Sequence, residues 1–206
     1  MNKYCIIIGA LLFFHSAVSQ VKDLSAEEIL IENTNKTLKA ATSQCALSFI
    51  FLGTGAGLVI ADMDFVIPAV TIGLGGAGIV TNITILTKRA YKQIQTLDFR
   101  QDDVALKTTM LKNIKTARTL AIIQNMTPIV AAVVGVFNYY LSGEQYDDFY
   151  FSSSFWAPAL SIVAIGMILI IPDIVLIEKT RHNLITYRGT LTLGTTAYGI
   201  GFNSKL

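Results

Sequence analysis

Residues 65–86 read FVIPAVTIGLGGAGIVTNITIL, 22 residues without an Asp, Glu, Lys or Arg. A helix of that length extends about 33 Å, enough to cross a hydrocarbon core of about 30 Å. Strands of a membrane barrel would be shorter and would alternate apolar with polar residues. This stretch does not alternate, so it reads as a spanning helix. Lipid tails give spanning helices no hydrophobic drive to associate, and small residues let them approach closely instead. Gly73, Gly75, Gly76 and Gly78 therefore read as helix-packing positions. The string GLGGAG at 73–78 does not fit a dinucleotide fingerprint. Read from Gly73, its third glycine falls at 76, and it has no strand–turn–helix context.

Three more apolar runs surround this one, at 43–61, 119–141 and 155–177. The first carries Gly53, Gly55 and Gly57, and the last carries Gly166, all read as further packing positions. Asp62-Met63-Asp64 joins the first two runs, and residues 142–154 join the last two, so the runs form two hairpins. The second and fourth runs align without a gap at a shift of 90. Phe65 falls on Phe155, Pro68 on Pro158, Ala69 on Ala159, Ile72 on Ile162 and Gly76 on Gly166. The first and third align at a shift of 80, with Gln44 on Gln124 and Gly55 on Gly135. The pattern suggests a duplicated hairpin. With an even number of spans per unit, both units would enter and leave on one side.

The expected class is an all-α membrane protein of four transmembrane helices in two tandem hairpins. Composition agrees: the chain is 52% hydrophobic and 15% charged, with mean hydropathy +0.55. Residues 20–42 read as a short polar helix, with Ser25 and Glu28 in capping-box spacing. Residues 43–97 make the first hairpin with its basic exit. Residues 98–118 read as an amphipathic surface helix, with Asp102 or Asp103 at its start. Residues 119–187 make the second hairpin, and 188–206 a glycine-rich tail. In the tail Leu191 and Leu193, then Tyr198, Ile200 and Phe202, alternate with small or polar residues, which suggests a short β-hairpin or else a disordered end.

The start of the chain conflicts with its charges. Lys3, an apolar core at 5–14 and Ala17-Val18-Ser19 have the form of a cleaved signal peptide, 1–19. Cleavage would put 87–118 and the tail outside. Yet 87–118 carries eight Lys/Arg and the segment from 178 carries four, while the two short links carry five acids and no base. The positive-inside rule puts those basic segments in the cytoplasm. The short apolar core and well-formed site argue for cleavage.

No nucleophile, phosphate loop or metal-ligand pattern is present, and a net charge of +2 points to no nucleic-acid partner. The expectation is therefore no enzyme and no cofactor. Asp173, inside LIIPDIVLI, is the sharpest anomaly, because acids at membrane depth are functional candidates. Asn82, Asn125 and Asn138 join it as candidate intramembrane polar groups, while Gln124 reads as interhelical glue and Cys45 as a small buried hydrophobe. The SAVSQ signal ending, the short polar helix, the glycine-rich hairpins with a basic exit and a GIGF terminus resemble small membrane proteins of Bacteroidota. That resemblance implies a bacterial inner-membrane location and carries no specific activity. The expected role is a structural or interaction component of the membrane. Its partners would be the lipid bilayer and a second copy or another membrane protein. The alternative is a small transporter or channel using the intramembrane polar groups.

Overall fold

The computed structural model describes residues 25–61, 66–143, 149, 151–189, 191–196 and 199–204. The expected signal peptide lies outside these residues, as do Asp62 to Phe65 and residues 144–148 and 150 of the second link.

Helix α1 runs over Ala26–Ile60. Ser25 starts it with the expected capping box: its Oγ accepts from the Glu28 N–H at 3.2 Å, and Glu28 Oε2 accepts from the Ser25 N–H at 3.0 Å. No glycine or proline interrupts the chain between Ala26 and Leu52, so nothing stops the helix at residue 42. The polar segment and the first span are one rod of 35 residues, about 52 Å long. Helix α2, Val66–Thr84, returns antiparallel to α1 and passes through a π-helical turn, Ile85–Tyr91, into the short α3, Lys92–Thr96. A single 3-10 turn, Gln101–Asp103, leads into α4, Val104–Ser142. Asp103 holds the N-cap position of α4 without a side-chain cap bond. Residues 104–118 are continuous with the third span. They are the first turns of α4, and Met110, Ile114 and Ala117 are buried in the bundle. Gly143, at φ 70°, closes α4 in the left-handed conformation that glycine adopts without strain. Helix α5, Ser153–Gly189, completes the bundle. Strands β1, Leu191–Thr196, and β2, Gly199–Ser204, pair antiparallel with Leu191 opposite Ser204 and Thr196 opposite Gly199.

Four helical segments, Ala26–Ile60, Val66–Thr96, Gln101–Ser142 and Ser153–Arg188, are long and apolar enough to cross a membrane. The chain is an all-α, multi-pass membrane protein. Each rod exceeds the roughly 20 residues a bilayer requires. The surplus turns of all four lie toward the basic ends, where they pack around a core of their own. Ile31, Leu38, Leu86, Ile94, Met110, Ile114, Ile177 and Leu184 are among its buried members. Within the apolar runs the core is thinner: Cys45, Leu52, Ile79, Ala121 and Ile170 form one cluster, and Ala56, Ala131, Ala159 and Val163 another.

The two hairpins are related in burial differently from the way they are related in residue identity. In the spans, buried positions recur at a spacing of 91: Gly75 with Gly166, Ile79 with Ile170, Asn82 with Asp173, Leu86 with Ile177. Beyond the π turn they recur at 90: Ala90 with Thr180, Ile94 with Leu184. A π turn carries one extra residue in a helix. Here it rotates the buried face by one position between Leu86 and Ala90. The sequence match at 90 therefore pairs Gly76 with Gly166, yet Gly76 has open space around it and Gly166 is packed on Thr127.

Candidate functional site: a buried polar layer

Helix periodicity brings one residue of each long helix to a common level. Cys45 on α1 donates its Sγ–H to Asp173 Oδ2 on α5 at 3.2 Å. Asn82 on α2 donates from Nδ2 to the same oxygen at 3.3 Å. Ala121 on α4 packs in one cluster with Cys45, Ile79 and Ile170. Gln124 follows one turn later on the same buried stripe of α4, about 4.5 Å along the axis. Cys45 and Asn82 are each 1% exposed, Gln124 is 2% and Asp173 is 0%.

Hydrogen bonding at this layer is incomplete. Asp173 Oδ1, Asn82 Oδ1 and both amide atoms of Gln124 are buried without a partner among the described residues. No Lys, Arg or His is buried among the described residues, so no basic side chain shares this core with the carboxyl group. Pro128 adds a further acceptor. It lacks the N–H that would bond the main-chain carbonyl of Gln124 four residues earlier. The layer and the turn beside it therefore hold unpartnered acceptors and one unpartnered donor, Gln124 Nε2, next to an acid whose Oδ2 already accepts two hydrogen bonds.

A second level lies six residues away on each helix. Counting from Cys45, Asn82, Ala121 and Asp173 toward the basic ends reaches Lys39, Lys88, Lys115 and Lys179, and all four are exposed. Six residues of helix extend about 9 Å. The lysines form a collar around the bundle, the arrangement expected where long cationic side chains reach for head groups. Asp173 is thus enclosed by protein, about 9 Å along the helices from the collar.

Of the candidate polar groups, Asp173 and Asn82 come together. Asn138 lies toward the opposite end of α4 and donates to its own helix at Val134 O, 2.8 Å. Asn125 is half-buried beside Gln124 and turns away from the buried stripe. Cys45 is buried as expected, but it also serves as a hydrogen-bond donor to the acid. Its role was hidden because its partner lies 128 residues away.

The glycines divide in the same way. A methyl group on Gly75 would fall 2.8 Å from Leu52 Cγ, and one on Gly166 would fall 2.6 Å from Thr127 Cγ2. Gly55 is as tight against Ile72, and Gly78 abuts Ser48 and Gln44. These four are close-packing sites. Gly53 has only Met167 Sδ within ordinary contact, at 3.8 Å. Gly57, Gly73 and Gly76 have nothing within 4 Å, so they do not pack closely against another helix of the same chain. Instead Ala69, Gly73, Ala77 and Thr81 recur every four residues along an exposed strip of α2. No protein-family model, curated protein or solved structure matches the chain.

Proposed function

We propose that the protein is a structural or interaction component of a bacterial inner membrane, and that it assembles with a second copy of itself. The observation that carries this reading is the exposed strip Ala69, Gly73, Ala77 and Thr81, with open space at Gly73. Small residues every four positions let two spanning helices pack backbone to backbone, and one strip laid against its own copy is complementary in shape. The lysine collar supports the same reading, because it fits an annulus of anionic lipid around such an assembly. The test is the mass of the protein in mild detergent and its cross-linking in native membranes. A dimer or larger assembly is expected for the natural sequence, and monomer for Gly73→Leu with Ala77→Leu. Both changes enter open space, so melting of the monomer should be unaltered. Monomer from the natural sequence with no partner co-purifying would overturn the proposal.

The alternative, a small transporter or channel, draws on one observation: Asn82 and Asp173 meet in the core. Asn125 and Asn138 do not join them, so the polar groups support a compact site rather than a stripe along a pore.

A further inference from the structure

We infer that Asp173 and Asn82 form a proton-binding site: in the closed bundle the acid is neutral and donates its proton from Oδ1 to the side-chain oxygen of Asn82. Asn82 Nδ2 already donates to Asp173 Oδ2 at 3.3 Å, and the Cys45 thiol donates to the same oxygen at 3.2 Å. The second oxygen of each head group, Asp173 Oδ1 and Asn82 Oδ1, is buried without a partner among the described residues. Both are acceptors while the acid is ionised, so neither can satisfy the other. One proton on Asp173 Oδ1 turns the two orphans into a single O–H···O bond. Acid and amide then face each other as a cyclic pair, each giving one hydrogen bond and taking one. The terminal torsions of Asp and Asn are soft, so the two planar heads can align within their rotamers.

A buried carboxylate with no basic partner is costly in a bilayer, and a proton, a metal cation or water can meet the cost. Asp173 is fully enclosed. Hard cations take about six oxygen ligands or more, whereas the groups bonded to Asp173 bring one unpartnered oxygen, that of Asn82. The rest of the cluster at this level is apolar: Ile79, Ala121 and Ile170. The titratable group facing the acid from α1 is Cys45, itself a donor to Oδ2. Asn82 from α2 and Ala121 from α4 do not titrate. Arg118 on α4 is a turn away and exposed, and Glu178 on α5 is half-exposed and paired with Arg181 at 2.9 Å. The collar lysines are exposed, about 9 Å along the helices. When the proton leaves to water, the layer must admit water in its place, which parts α1, α2 and α5, the three helices it ties. This inference concerns the interior of one bundle and stands apart from self-association, so detergent monomers suffice to test it.

The full chain would be purified in detergent, and infrared spectra and melting curves recorded from about pH 4 to about pH 9, on either side of neutrality and above the ordinary range of Asp. The expected spectrum at neutral pH holds a carboxylic-acid C=O band that Asp173→Asn removes. Asn in place of Asp173 offers Asn82 the same donor and acceptor as the protonated acid, but it cannot release a proton. The folded bundle binds one proton more than the unfolded chain, so stability should fall as pH rises. Relative to Asp173→Asn, the folding equilibrium of the natural sequence should weaken about tenfold per pH unit above about pH 4, until the acid band disappears. Asn82→Leu removes the hydrogen-bond partner and should move the acid band to higher frequency, and it tests the pair even where Asp173→Asn does not accumulate. No acid band at neutral pH, as a hydrated or cation-bound carboxylate would give, overturns the inference. So does a pH profile of melting that Asp173→Asn leaves unchanged. A band unmoved in Asn82→Leu would remove Asn82 from the site and overturn the pairing.

Discussion

The two halves of the bundle hold the same four helices together by different physics. Toward the basic ends, the core is large and aliphatic: Ile31, Leu38, Leu86, Ile94, Met110, Ile114, Ile177 and Leu184 fill it, and charged residues cover its outside. In the apolar half, small residues replace that filling. Gly75 seats Leu52, Gly166 seats Thr127, and Ala56, Ala131 and Ala159 meet in one cluster. Large apolar side chains there turn outward instead, as Ile50, Val70, Val133 and Ile168 do. Water drives the first arrangement, since burial removes apolar surface from it. Lipid offers no such drive, so the second rests on close approach and on hydrogen bonds across helices. The polar layer of Cys45, Asn82 and Asp173 lies next to the change from one regime to the other.

The largest expected effect separates these regimes directly. Ile114→Ala removes a fully buried side chain from the basic-side core and should cost about 3 kcal/mol. Ile170→Ala makes the same truncation in the apolar half, where Ile170 is equally buried, and should cost about half as much. There the loss is packing alone, without a transfer to water. Chemical unfolding in mixed detergent and lipid measures both. Equal losses would mean that the two cores are held by one mechanism, and the comparison would fail.

Next in size is the cost of adding one methyl group where helices touch. Gly75→Ala places a Cβ 2.8 Å from Leu52 Cγ and 3.1 Å from the Leu52 main-chain nitrogen. The backbone cannot yield as a side-chain tip can, so the helices must part, at a cost of about 1–3 kcal/mol. A melting temperature unchanged by Gly75→Ala would show that the apolar half is looser than this packing implies.

These two tests also mark what the sequence made legible. Four spans, their pairing and the Ser25 cap follow from apolar run length, link length and local spacing, all of which are properties of neighbouring residues. The continuity of α1 through residue 42 was within reach, because no breaker stands between Ala26 and Leu52. The division of the glycines was not, because Gly75 and Gly76 are adjacent in the chain and differ only in what faces them. The π turn hid a related fact. The residue match at 90 pairs Asn82 with Pro172, whereas the fold pairs Asn82 with Asp173, 91 positions on. Gln124 reads as interhelical glue and Cys45 as a buried hydrophobe, but the sequence gives no sign of their partners, because their neighbours come from other helices.

A smaller effect is expected at the acid itself. Asp173→Asn keeps an oxygen that can accept from Cys45 and Asn82 and removes the ionisable group. Replacing a buried charge by a neutral group of similar shape is often neutral or stabilising, although leaving one half of a matched pair costs much more. Asp173 has no ionic partner to strand. Unfolding at acid pH should therefore change by no more than about 1 kcal/mol, in either direction. A loss of several kcal/mol at acid pH would mean that the carboxyl group itself, not its hydrogen bonds, holds the layer together.

The smallest expected effect serves as the control for the glycine argument. Gly57 lies on α1 with nothing within 4 Å of a Cβ placed there, so Gly57→Ala meets no steric resistance. Alanine also limits the conformations of the unfolded chain and favours helix by up to about 1 kcal/mol in water. In detergent the gain should be a few tenths of a kcal/mol, with the sign opposite to that of Gly75→Ala. The pair of substitutions is chemically identical, and both residues lie in helices of one hairpin. Only the distance to the facing helix differs. A stabilised Gly57→Ala beside a destabilised Gly75→Ala would assign the difference to interhelical contact. If Gly57→Ala instead destabilises the assembled protein while leaving a detergent monomer unchanged, the open face of α1 is covered by another chain, and self-association extends beyond the strip on α2.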